Sequence, residues 1–204
     1  MSGAVGSTHT YLIEERSVIA RLINKTLEGD EFVSDRLPMN VDSDELFHVM
    51  SDGMVLIRLL DKIDPELIDM RAVNKGSNIG IFRTKENINM ALTACKGHIK
   101  VVGIHDQHFL EKKPHLILAI VTQLMKKIAV QKISLKDCPE LMRLAKDDEE
   151  LADLIKLTPE QILLRWVNFH LKAAGQQPVA NLGKELKDCK ALLYVCNQLD
   201  KSKC

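Results

Sequence analysis

Four soft metal-ligand side chains lie close together in the sequence, as Cys95-x-x-His98 and, after six further residues, His105-x-x-His108. Thiolate and imidazole donors at two-residue gaps are the raw material of a tetrahedral zinc site. His98 follows a helix end and His105 opens the next helix, so ordinary loop and cap positions account for both without a metal. Asp42-x-Asp44 begins like a calcium loop, but the sixth position is Phe47 where the sharp turn needs glycine, and a capped helix is the better reading. Cys138 and Cys189 have no positioned base and read as structural. The chain has no G-x-x-x-x-G-K-[ST], G-x-G-x-x-G or H-E-x-x-H pattern, which removes phosphate-loop, dinucleotide and metalloprotease chemistry. The expectation is a non-enzyme with no metal and no cofactor. What remains is surface: Lys112, Lys113, Gln123, Lys126, Lys127 and Lys132 would rim one apolar helix with positive charge.

The elements that must present this surface are helical, because the apolar residues recur at helical spacing and sustained alternation is absent. The fold class expected is all-α. Val18, Ile19, Leu22, Ile23 and Leu27 form one stripe of a first helix, with Arg21, Asn24 and Glu28 on another. Asp42 to Glu45 supply capping acceptors for a short helix, and Asp52 can cap the next one, whose run Met54, Val55, Leu56, Ile57, Leu59 and Leu60 is apolar enough for a core centre. Residues 66–82 read as loop, with Thr84 capping the helix that follows. A short helix spans 106–110, and Pro114 opens a second buried helix. Asp147 is placed to cap another short helix, with Glu150 three residues on. Leu157-Thr158-Pro159-Glu160-Gln161-Ile162 joins an N-cap threonine, proline at the first helical position, a glutamine completing the capping box and a Leu157–Ile162 staple.

Two segments repeat. Arg21-Leu22-Ile23-Asn24-Lys25-Thr26-Leu27 aligns with Arg165-Trp166-Val167-Asn168-Phe169-His170-Leu171 at an offset of 144, and Asp52 with the helix after it aligns with Asp188 and its helix at an offset of 136. A duplication with a shorter first loop in the second copy is expected. The second copy would then stop early, so the chain is expected to be part of a longer protein. Its apolar last helix would dock on the helix carrying Trp166, leaving some self-association through the truncated second domain.

The 204 residues are 46% hydrophobic, and 28 Lys+Arg balance 28 Asp+Glu. That zero balance argues against a bulk nucleic-acid or anionic-membrane binder. The longest apolar run, residues 116–121, is far below the ~20 residues of a membrane span. Five cysteines without a CxxC pair suit reduced thiols, and the small, uncharged N-terminus lacks a secretory pattern, so a cytoplasmic protein is expected.

Pro38-Met39-Asn40, Asp44-Glu45-Leu46-Phe47 and Ser51-Asp52-Gly53-Met54-Val55-Leu56 resemble the first calponin-homology domain of the fimbrin (plastin) family. Lys85-Glu86-Asn87-Ile88-Asn89-Met90-Ala91-Leu92 and Lys113-Pro114-His115-Leu116-Ile117-Leu118 are similar to its later helices, and residues 157–168 resemble the first helix of the second such domain. The resemblance implies a flexible N-terminus at 1–10, a first calponin-homology domain at 11–130, a linker with short helices at 131–157 and the N-terminal part of a second domain at 158–204. It implies filamentous actin as partner and a cytoskeletal location. A calponin-homology module that binds microtubules or a signalling partner is the alternative. Family contact surfaces would fall on residues 14–28, 114–130 and 159–173, where Arg21, Lys25, Lys126, Lys127, Arg165 and Lys172 are the candidate actin-binding side chains. Leu22 stands where the family usually has the core tryptophan that Trp166 retains. The family's calcium-binding headpiece is not in this sequence, so neither calcium control nor bundling is expected of this chain.

Overall fold

The computed structural model describes residues 11–76, 79–131, 133, 138–145 and 149–200, and none of these is in a strand. The chain divides into two compact units, 1–128 and 129–204. Helices α1 (Ile13–Thr26), α2 (Glu45–Val49), α3 (Met54–Ile63), α4 (Ile81–Cys95), α5 (Asp106–Leu110) and α6 (Pro114–Gln131) build the first unit, the closing residues of α6 running past its boundary. Helices α7 (Leu151–Ile155), α8 (Pro159–Ala173) and α9 (Lys190–Leu199) belong to the second.

In the first unit α3 is the centre. Its apolar residues face inward all round, and Met54 to Leu60 are buried without interruption. It packs against α4, and Ile117, Ile120, Val121 and Leu124 of α6 join the same core. A helix apolar on every side needs neighbours on every side. Arg58 lies within this buried run. Its guanidinium is met by Asp30 at 2.8 Å and Asp61 at 3.2 Å, and stacks 4.8 Å from the centre of the Phe32 ring, so a charge removed from water is paired and hydrogen-bonded. Asp52 accepts from Met54 N at 2.9 Å, and Gly53 turns the chain with φ +78°.

Several local expectations are corrected. The α1 stripe that enters the core is Ile19, Ala20, Ile23 and Leu27, while Val18 and Leu22 are exposed, because the apolar arc of this helix is wider than the surface that covers it. Asp44 does not cap α2. It accepts instead from the Tyr11 hydroxyl at 2.7 Å and the Arg16 guanidinium at 2.6 Å, tying the segment before α1 to α2, while Ser43 Oγ accepts from Glu45 N. Helix α4 starts at Ile81, after Gly80 at φ +77°, so Thr84 lies inside it and Ile81 and Phe82 are exposed residues of its first turn. Asp147 lies outside the described residues, and α7 begins at Leu151 after Glu150. Cys138 and Cys189 are exposed.

In the second unit the capping box forms as its sequence requires: Thr158 N donates to Gln161 Oε1 at 2.8 Å and Gln161 N to Thr158 Oγ1 at 3.3 Å. Gly175, at φ +69°, ends α8, with Gln176 N returning to Leu171 O. Helix α9 packs on α8 through Val167, Leu171 and Val195. Trp166 only leans on this cluster, edge-on to His170 at 4.6 Å, and is partly buried where full burial is the sequence expectation.

The duplication is visible in bonding. Asn24 donates to Met39 O at 2.8 Å and accepts from Met39 N at 2.9 Å. Asn168 donates to Val179 O at 2.9 Å and accepts from Val179 N at 2.8 Å. Glu45 then accepts from Asn40 N, and Glu185 from Ala180 N. Asp52 holds Met54 N, and Asp188 holds Lys190 N, each followed by a left-handed residue, Gly53 or Cys189. Four matched hydrogen bonds and one matched left-handed residue, in the same order, are more than two amphipathic helices share by chance.

Candidate functional site

His105 and His108 stay close, their ring centres 5.6 Å apart, but among the described residues no group of three His, Cys, Asp or Glu side chains is placed to hold a metal ion. Cys95 is in the core, where burial pushes its thiol up to about 12, so it is neutral and a poor ligand. His98 N closes the turn after α4 on Cys95 O, and His105 N donates to His108 Nδ1 at 3.1 Å, which spends that ring nitrogen on the start of α5. These are helix-end contacts of the protein with itself.

The basic rim also changes. Lys113 pairs with Glu111 at 3.2 Å, and Lys112 Nζ lies 2.9 Å from His48 Nδ1. Gln123 is a structural clamp, accepting from Lys100 N and donating to Lys100 O and to Ala119 O. Lys132 lies outside the described residues. Lys126 is exposed, but Lys127 is half-buried, since α6 carries apolar residues on either side of it, at Leu124, Met125 and Ile128.

On α1, Arg21 and Lys25 are exposed one turn apart. Both line an open groove of about 470 Å³ with Asn24, Glu28, Leu37 and Pro38. The Asn24 clamp on Met39 fixes the far wall, so the two cations stand on an apolar-backed rim. On α8, Lys172 is exposed, whereas Arg165 is half-buried and held by both oxygens of Glu149, at 2.5 Å and 2.9 Å. This bidentate pair pushes the guanidinium further up in pKa, chiefly through the hydrogen bonds to Glu149. Arg165 therefore does not offer an unpaired charge, contrary to the sequence expectation of an exposed stripe. Glu149 and the Asn24 clamp were not singled out from sequence. The repeat of Arg and Asn at the 144-residue offset was the signal that could have found the clamp.

On α1, Arg21 and Lys25 are exposed cations beside a groove that Leu37 and Pro38 help to line, an arrangement able to meet an acidic partner.

The family model for the calponin homology (CH) domain matches residues 14–129 and 157–204. Fimbrin of Saccharomyces cerevisiae is 39% identical over 204 residues, covering 98% of this chain and 32% of that protein. Plastin-1 of Mus musculus is 38% identical over 195 residues, covering 95% of this chain and 31% of that protein. The crystal structure of the actin-crosslinking core of Schizosaccharomyces pombe fimbrin aligns with a TM-score of 0.73 at 34% identity, over 95% of this chain and 39% of that one. The chain thus spans about a third of the length of the curated relatives it matches. Two matched stretches carrying one repeated set of contacts, with fimbrin and plastin similarity across nearly all of the sequence, lead to one conclusion: this chain belongs to the calponin homology domain family.

Proposed function

We propose that the chain is a non-catalytic actin-filament-binding part of a fimbrin-like protein of the cytoskeleton. The observation that carries this is the similarity, over 95% of the chain, to a solved core whose role is actin crosslinking. The exposed side chains Arg21 and Lys25 on the α1 groove, Lys126 on α6 and Lys172 on α8 supply positive charge for an acidic filament surface. Lys127 adds a partly buried stem beside Lys126, and Arg165 acts through Glu149 by holding α8 in place rather than by touching the filament. Among the described residues no helix is long and apolar enough to cross a membrane.

Co-sedimentation with actin filaments tests the proposal, with microtubules as the comparison. An exposed ion pair is worth about 0.2–1 kcal/mol, and reversal adds repulsion, so Arg21→Glu with Lys25→Glu is expected to weaken binding about tenfold. The loss should shrink as salt rises, because exposed charges are screened over about 10 Å at 0.1 M. Pelleting with microtubules and not with actin would overturn the reading. An unchanged affinity of the double variant would move the contact away from α1.

A further inference from the structure

We infer that Tyr11 is a phosphorylation site, and that its phosphate takes the place of Asp44 on the Arg16 guanidinium. The three groups meet at one atom. Asp44 Oδ1 accepts from the Tyr11 hydroxyl at 2.7 Å and from Arg16 Nη1 at 2.6 Å, so hydroxyl and guanidinium are neighbours. The Asp44 side chain is 61% exposed and the Arg16 side chain 8%. The hydroxyl thus meets its acceptor at the surface, with a buried cation beside it. The Tyr11 ring is held edge-on to the core residue Phe47, ring centres 5.2 Å apart, which fixes where the oxygen lies. Leu12, the next residue, is exposed and has extended backbone, so the tyrosine stands outside α1 where an enzyme can reach it.

The buried cation is short of acceptors. Among the described residues Arg16 Nε has no hydrogen-bond partner, although a charge removed from water needs its donors met. A carboxylate oxygen already shared with a tyrosine does not serve it. A phosphate can, since it brings three acceptor oxygens and a charge of about −1.5 to −2, and a guanidinium binds such groups through paired, parallel bonds. In the reaction a protein kinase moves the γ-phosphoryl group of a nucleoside triphosphate onto Tyr11 Oη. The bond from phosphorus to the departing diphosphate breaks, the new P–O bond forms, and the hydroxyl proton passes to solvent. Asp44 then loses a donor and gains a like charge beside it, so it turns outward, where its exposure leaves room. A tie between the segment before α1 and α2 becomes a tie between that segment and α1 itself. Arg21 lies eight residues beyond Ile13, about 12 Å along α1 and outside the screening length of about 10 Å, so the added charge leaves Arg21 and Lys25 unchanged and the inference does not rest on the filament reading.

Treating the whole native chain with the catalytic domain of a broad-specificity tyrosine kinase, ATP and magnesium tests the site, read from the masses of proteolytic fragments. The chain has two tyrosines, so Tyr194, 43% exposed on α9, is the internal comparison. Tyr11 is expected to be modified, and Tyr11→Phe to lose that product alone. In phosphorylated Tyr194→Phe, which carries a single phosphate, phosphorus magnetic resonance against pH reads the second ionisation. It is expected about one unit lower in the native chain than in urea, because Arg16 favours the dianion. Arg16→Gln should remove the shift, with circular dichroism showing that the helices remain. Asp44→Asn should keep it, which leaves the test open should Arg16→Gln fail to fold. A native chain that stays unmodified at Tyr11 overturns the inference. So does a phosphate that titrates in the native chain as it does in urea, a shift indifferent to Arg16→Gln, or a shift lost in Asp44→Asn.

Discussion

One position of the repeat should respond to substitution with opposite signs in its two copies. Gly53 and Cys189 stand at the same place, after an aspartate that holds the next helix, with φ of +78° and +58°. A Cβ on Gly53 would lie 2.9 Å from Ile88 N and 3.1 Å from Ile88 Cα, closer than carbon atoms pack, and the contact is backbone of α4 that cannot swing aside. Gly53→Ala therefore combines the left-handed penalty of about 1–2 kcal/mol with an overpacking cost of about 1–3 kcal/mol at the α3–α4 contact. A loss of about 2–5 kcal/mol is expected. Cys189 is exposed and already carries the left-handed penalty, its sulfur making only a 3.9 Å contact to Lys187 O. Cys189→Gly removes about 1–2 kcal/mol of strain. The greater freedom of glycine in the unfolded chain returns about 0.5–1 kcal/mol of that. A net gain of about 0–1.5 kcal/mol follows. Urea unfolding followed by fluorescence reads the second unit, because Trp166 is the sole tryptophan and leans on the α8–α9 cluster. Circular dichroism reads the loss at Gly53. A destabilised Cys189→Gly, or a neutral Gly53→Ala, would refute the equivalence of the two turns.

Asn24→Ala leaves the N–H and C=O of buried Met39 without partners and is expected to cost about 2–4 kcal/mol, whereas Asn168→Ala exposes half-buried Val179 to water and costs about 1–2 kcal/mol, both read by chemical denaturation. In native protein a thiol reagent should label Cys138, Cys189 and Cys196 promptly and Cys95 only on unfolding, since burial holds the Cys95 thiol at about 12. The Tyr11 hydroxyl, then Arg16, holds the Asp44 carboxyl below its ordinary value, so its contribution is complete above about pH 4 and lost as pH falls further; being largely exposed it is worth less than about 1 kcal/mol. Asp44→Asn should flatten that acid limb of the stability curve, and an unchanged limb would assign the acid sensitivity to other carboxylates.

What could be read in the sequence was whatever local chemistry decides. The Thr158-Pro159-Gln161 box, the helix at 106–110 and the proline opening α6 all sit where their side chains place them. Misreadings arose where a distant group decides. Asp44 looked like a cap, but partners 33 and 28 residues away claim its carboxylate. Thr84 looked like a helix start, but the turn at Gly80 begins α4 three residues earlier. Helical periodicity placed Arg21 on a polar stripe and the family resemblance added Lys25, yet periodicity could not show that Leu22 faces outward or that α6 half-buries Lys127, because the width of a covered arc depends on neighbours.

Arg21 and Arg165 make the same point about function. They occupy one position of the repeat, three residues before the asparagine that clamps each unit, so the scaffold beneath them is alike. Their surroundings differ. Arg21 stands exposed on a groove, and Arg165 is neutralised by a bidentate carboxylate. A duplicated fold can thus keep its internal contacts while one copy pairs a surface charge with its own carboxylate and the other leaves it exposed. Reversal of each charge separates these roles. Arg21→Glu should weaken filament binding with stability unchanged within about 0.5 kcal/mol. Arg165→Glu sets two carboxylates against each other and should shift the Trp166 unfolding transition to lower denaturant, and Glu149→Arg in the same chain should restore it. If Arg165→Glu instead lost binding at full stability, the second unit would be the contact and Glu149 merely its resting partner.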